Sequence, residues 1–167
     1  MILIPRNPVN QNPLHRHDAN DGTAEGGMIM RLTSEGKLAK VTASGQAPFG
    51  ILFPRVKSNL AGLPQNFEFP GEIGTSDQRL GDPVLVYQDG GTFEADEYDI
   101  VGSGVAVGTV LYARINDAAN DGKLTDDTSN VADTGDGGTA KPVAIATAAL
   151  TADDVAAKKA LAIKLLI

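Results

Sequence analysis

The stretch GGMIMRLTSEGKLAKVTASGQAPFGILF (residues 26–53) decides the fold. MIMRLT is a short apolar strand, SEGK supplies a turn centred on Gly36, and LAKVTAS sets Leu38 and Val41 among small or polar residues, so the pair reads as a hairpin. Gly45 and Pro48 end it, and FGILF (49–53) adds a third buried strand that stops at Pro54. Three strands within 28 to 53, each cut off by Gly or Pro, predict a mainly β chain.

The same punctuation continues outward from there. Residues 55–79 are broken by Gly62, Pro64, Pro70, Gly71 and Gly74, and predict loop with at most one short strand. LGDPVLVYQ (80–88) is rich in β-branched and aromatic residues and reads as strand, turned at Asp89-Gly90-Gly91. TFEADEYDIVG (92–102) reads as an edge strand whose carboxylates blunt association, and GVAVGTVLYARI (104–115) as a central one. Residues 116–139 are rich in Asp, Asn, Gly and Thr; their ends are open to strand and their middle predicts exposed loop. KPVAIATAAL (141–150) and LAIKLLI (161–167) are strands. Between them TADDVAAKK (151–159) is a short helix, with Thr151 as cap and Asp154 three residues on.

The expected fold is thus mainly β: a small β-barrel or sandwich-like body over 28–167, with one short helix near the C-terminus and an extended N-terminal arm over 1–27. The arm holds Pro5, Pro8 and Pro13, many Asn and Asp, and no periodicity beyond Ile2 to Ile4. A structureless stretch of that length needs a surface to lie on, and Ile2, Leu3, Ile4 and Leu14 are the residues expected to make its contacts.

Arg31-Leu32-Thr33-Ser34-Glu35-Gly36-Lys37-Leu38 has an echo in Arg114-Ile115 followed, after an insertion, by Asp121-Gly122-Lys123-Leu124-Thr125. Each reads as strand, polar turn and Gly-Lys-Leu, with a later apolar strand (FGILF or PVAIA). Two related hairpins would give this, and so would a favoured turn used twice.

Composition excludes several functions. A net charge of −7 and 14 basic against 21 acidic residues give a field that repels phosphate, so no nucleic-acid partner is expected. There is no Cys for disulfides, thiolate metal sites or nucleophiles. No apolar run approaches the roughly 20 residues of a bilayer span, and MILIPRNPVNQ lacks the basic and apolar regions of a leader, so no membrane partner is expected.

Candidate chemistry is thin. His15, His17 and Asp18 cluster in HRHD, and the two-residue period aims both imidazoles one way, but no third metal ligand is fixed. Asp117, Asn120, Asp121, Gly122, Asp126 and Asp127 suggest a calcium loop; Ala119 stands where an EF-hand needs an oxygen, and Thr128 where it needs Glu. GSGVAVG (102–108) has dinucleotide-like glycines, yet VLYARI after it is strand rather than helix. Glu94, Asp96, Glu97 and Asp99 read as a solvated edge. No catalytic, metal or cofactor site is expected.

In their order, GGMIMRLTSEGKLAKVTASGQAPFGIL, LGDPVLVYQDGGTFEA, GVAVGTVLYARI, the DGKLT turn, PVAIATAAL and LAIKLLI resemble the cement, or decoration, proteins of tailed bacteriophages. The resemblance covers most of 26–167, and the long stretches 1–27, 55–79 and 116–139 depart from the shorter members. It implies a small β body on the exterior of the virion capsid, assembled in the host cytoplasm. Its partner would be the major capsid protein at junctions between subunits, and it would form a homo-oligomer, a trimer by preference. A tail-tube or head-completion protein is the neighbouring expectation. A carbohydrate-binding module is a further one, disfavoured by three Tyr and no Trp to stack on sugars.

Overall fold

A computed structural model describes residues 3–5, 10–12, 15–22, 24–53, 55–57, 77–79, 84–88, 90–133 and 139–167. The chain is mainly β, as expected, in two antiparallel sheets, one of them curled as a half-barrel. The five-stranded sheet runs β2 (Asn10–Asn12), β8 (Val86–Gln88), β5 (Gly50–Leu52), β3 (Ile29–Leu32), β4 (Leu38–Lys40). The six-stranded sheet runs β1 (Leu3–Pro5), β9 (Thr92–Ala95), β13 (Leu161–Leu165), β12 (Ala144–Ala146), β10 (Val110–Ala113), β11 (Leu124–Thr125). Within 55–79, expected as loop, β6 (Arg55–Lys57) and β7 (Asp77–Arg79) form a parallel pair. The single α-helix among the described residues, α1 (Ala152–Ala156), starts at Thr151 with a complete capping box, Thr151 and Asp154 each bonding the other's backbone N–H.

The five-stranded sheet is buried on both faces. Ile29, Ile51 and Tyr87 join Phe93, Leu111, Ala113 and Ile163 in the main core between the sheets. Met30, Leu38, Leu52 and Val86 face the other way into a second cluster, covered by Ala24 and Met28. Residues 15–22 and 24–27, expected as part of an arm, are therefore built into the body: Ala24 is fully buried, and His17 makes a parallel bridge to Leu38. Burying Met28, Met30 and Leu38 is worth about 1.5–3 kcal/mol per side chain, which anchors this strap.

Two other expectations are corrected. The strand 92–95 is not an edge, because β1 lies outside it, pairing Leu3 with Ala95 and Ile4 with Glu94. Residues 116–133 are not all exposed loop: Leu124 and Thr125 form β11 and are fully buried, and Ala132 is buried beside them. Their polar neighbours hide these apolar residues from a window-based reading.

The halves of the chain repeat one topology, well beyond the hairpin echo. The order β2-β8-β5-β3-β4 maps strand for strand onto β9-β13-β12-β10-β11, all pairs antiparallel. The hydrogen bonds repeat with it. Gly27 N–H to Leu52 O and Gly108 N–H to Ala146 O are both 2.8 Å, and both glycines have positive φ, 101° and 87°. Phe49 N–H bonds Met30 O at 2.7 Å and Val143 N–H bonds Leu111 O at 2.9 Å; Asp18 N–H bonds Leu38 O and Asp99 N–H bonds Leu124 O, each at 2.7 Å. By register Gly36-Lys37-Leu38 corresponds to Gly122-Lys123-Leu124 and Pro48 to Pro142, so the faint sequence echo marks a repeated five-strand unit.

The units stack head to tail. Met30, Leu52 and Val86 of the first correspond to Leu111, Ala146 and Ile163 of the second, which lie in the main core, whereas the first unit sends its opposite face, Ile29, Ile51 and Tyr87, into that core. The corresponding face of the second unit, Val110, Ile145 and Lys164, looks outward, with Val110 37% exposed.

Candidate functional site

The polar side chains singled out in the sequence are mostly spent on fixing loops. Asp18 caps the 3-10 turn Ala19–Asp21 by accepting from Asn20 N–H. His15 Nδ1 lies 2.9 Å from Gly36 O, and its ring stands edge-on to Phe49 with centroids 5.3 Å apart. His17 is buried, neither ring nitrogen has a hydrogen-bond partner, and its nearest charge is Asp21 Oδ2 at 3.6 Å, which already accepts from Lys40 N–H at 2.7 Å. The two histidines therefore do not converge. Among the described residues no group of three or more His, Asp or Glu is placed to share a metal ion.

The calcium-like loop folds on itself. Asp117 accepts from Ala119 N–H at 3.2 Å and Asn120 Nδ2 at 2.9 Å, and Asp121 Oδ1 accepts from Asp117 N–H at 2.9 Å. The Asn120 side-chain amide, with the backbone N–H of Ala119, holds the Asp117 carboxyl below its ordinary value. The loop's purpose is positional: Gly122, at φ 82°, offers its carbonyl to Ile29 N–H at 2.7 Å, joining the second unit's turn to the first unit's strand. A Cβ there would sit 3.2 Å from Ile29 O.

The carboxylates of 94–99 divide. Asp99 lies 3.5 Å from Arg114 Nε, while Arg114 Nη1 donates to Asp127. Asp127 also accepts from Ser129 N–H and Oγ, and these bonds with the guanidinium hold its carboxyl down at about 2. Burial pushes the Glu97 carboxyl up, opposed by Lys123 Nζ 3.5 Å away. These are structural ion pairs across the β10–β11 hairpin. The glycines of 102–108 serve the backbone: a Cβ on Gly104 would meet Leu150 O at 2.6 Å, and Gly108, with open space around it, holds a φ of 87°.

Of the expected contact residues, Leu3 and Ile4 lie in β1 on the edge of the six-stranded sheet; Ile2 and Leu14 lie outside the described residues. Sequence reading missed a clamped turn in the first unit. Gln46 Oε1 accepts from Thr42 N–H and Ala43 N–H, Asp133 takes Ser44 Oγ at 2.6 Å and Gly45 N–H at 3.0 Å, and Gln88 Nε2 holds Phe49 O at 2.9 Å. Between this turn and the end of β3 runs a groove of about 440 Å³ lined by Arg31, Leu32 and residues 45–49. Arg31 Nε is buried there with no hydrogen-bond partner. Its signal was available only in part, as Pro48-Phe49 following a basic strand.

Comparison of the chain with protein-family models, curated proteins and solved structures finds no match. No helix among the described residues is long and apolar enough to cross a membrane.

Proposed function

We propose that this chain is a structural virion protein that binds the outer surface of a tailed-phage head between major capsid subunits and stabilises the shell, as a homo-oligomer with a trimer favoured. The observation that supports it best is at the sheet edges. β1 and β2, three residues each, each form one edge of a sheet and are joined to it along β9 and β8. Edges of that kind can exchange one strand for another without losing main-chain bonds, which suits adhesion to a protein lattice. Loops locked by buried polar bonds suit a body that must transmit load without yielding.

The test is co-sedimentation with phage heads stripped of accessory proteins, comparing the full chain with a deletion of residues 1–14. That deletion keeps the strap that covers Met30 and Leu52, which a cut at residue 27 would remove. Saturable binding that raises the heads' resistance to heat, lost on deletion, is the expected result. Failure of any head to bind, with rings formed by the chain alone, would replace decoration with a tail-tube role.

A further inference from the structure

We infer that the groove beside Leu32 is a strand-addition site for an extended peptide segment of a partner protein, one carrying small aliphatic residues next to a carboxylate. The chain's own second half supplies the template for this site, independently of any capsid role.

In the second unit the place beside the end of β10 is filled. Arg114 bridges antiparallel to Val131, Ile115 N–H bonds Asn130 O at 3.0 Å, and Ala132 N–H bonds Ala113 O at 2.9 Å. Asn130–Asp133 thus lies as an added strand between β10 and Lys141, whose N–H bonds Ala132 O at 3.0 Å. Through the matched bonds Met30 corresponds to Leu111, so Leu32 corresponds to Ala113. In the first unit the same place, between Leu32 and the turn 45–49, is the groove.

The backbone is set for a partner. Thr33 N–H bonds Lys37 O and Phe49 N–H bonds Met30 O, so the alternation of an antiparallel ladder turns the N–H and C=O of Leu32 toward the groove. Leu32, 36% exposed, together with Ala47, Pro48 and Phe49, supplies apolar contact. The walls are already rigid through Gln46 and Asp133, so little ordering cost remains for binding. Arg31 Nε, in a chain of net charge −7, is buried with no hydrogen-bond partner. Asp133 stands at the Gly45 end, so the ligand's carboxylate belongs at the Arg31 end. The second unit's filler, Asn130-Val131-Ala132-Asp133, has the composition the groove asks for.

The test uses the full, isotope-labelled chain titrated with the acetylated, amidated peptide TSNVADTG, followed by amide and Arg Nε–H resonances. Saturable shifts at Leu32, Thr33, Ser34, Phe49 and Arg31 are expected, with the Ala132 amide unmoved. A peptide with Pro in place of the alanine, which cannot donate the N–H that Leu32 O needs, should bind at least tenfold more weakly. Arg31→Met should weaken the parent peptide several-fold while its spectrum elsewhere stays that of the folded chain. Absence of saturation by about 10 mM peptide, beyond the range of specific recognition, overturns the inference. So does equal binding of the Pro peptide, or saturable shifts confined to another surface.

Discussion

His17 and Tyr98 hold the same place in the two units, each in a parallel bridge to the leucine of the Gly-Lys-Leu turn, Leu38 or Leu124, yet only the tyrosine is satisfied. Tyr98 Oη donates to Lys159 O at 2.8 Å, and Lys158 Nζ sits 4.7 Å over the ring; the His17 ring nitrogens have no hydrogen-bond partner.

The two sites should respond oppositely to loss of polarity. A buried polar group without a partner costs about 1–3 kcal/mol, and a satisfied one contributes about 1 kcal/mol. His17→Leu is expected to raise the urea midpoint and Tyr98→Phe to lower it, each with an unchanged denaturant slope. A destabilising His17→Leu would mean that the imidazole is needed where it lies.

Acid should weaken the β10–β11 hairpin in a defined window. Asp127 titrates at about 2 in the folded chain, below the ordinary carboxylate value near 4. A depressed value contributes stability that is complete above pH 4 and lost as pH falls from about 4 toward 2. Asp127→Asn should flatten the stability profile over that interval, read from thermal midpoints, and leave the slope above pH 5 unchanged.

Gly50 and Ala144 occupy equivalent positions but do not have equivalent room. A Cβ on Gly50 would lie 2.8 Å from Tyr87 O and 3.3 Å from Val86 Cβ. Gly50→Ala is therefore expected to cost about 1–3 kcal/mol by forced strand separation, measured by chemical denaturation.

The capping box of α1 stands on the surface and can be tested alone. Thr151→Ala removes the acceptor for Asp154 N–H and should cost about 1 kcal/mol. Thr151→Ser should restore most of it.

Much of this fold was legible in the sequence. Strand phrases at 28–33, 38–44, 49–53, 141–150 and 161–167 all contain strands, and the Thr151 cap is where Thr and Asp three apart placed it. The repeat was barely visible because it is conserved in main-chain bonds rather than side chains. Tyr98 answers His17, Lys164 answers Tyr87, and the turn of the second unit is longer. Asp18, Gly27, Gly36, Lys37, Leu38, Pro48 and Ile51 have identical counterparts, most of them close to the turns and strand starts that the backbone dictates. The groove was beyond the sequence for a related reason. What defines it is the segment present in one unit and missing from the other, and that comparison needs the register of both.

Tyr87, 2% exposed, lies in the core joining the units, and its counterpart Lys164 stands outside. Lys164→Tyr should therefore promote self-association, seen as concentration-dependent sedimentation absent from the parent chain.

A head-to-tail joint has no built-in stopping point, since each unit that accepts a neighbour on one face offers the same face again. Two such units in one chain are the first two links of a fibre. The series is closed at both ends: the strap of Ala24 and Met28 covers the first unit's free face, and on the outward sheet an ammonium, Lys164, stands where the first unit places an aromatic ring, so burying it would cost its hydration. Strap and lysine are in that sense the two end-caps of the pair.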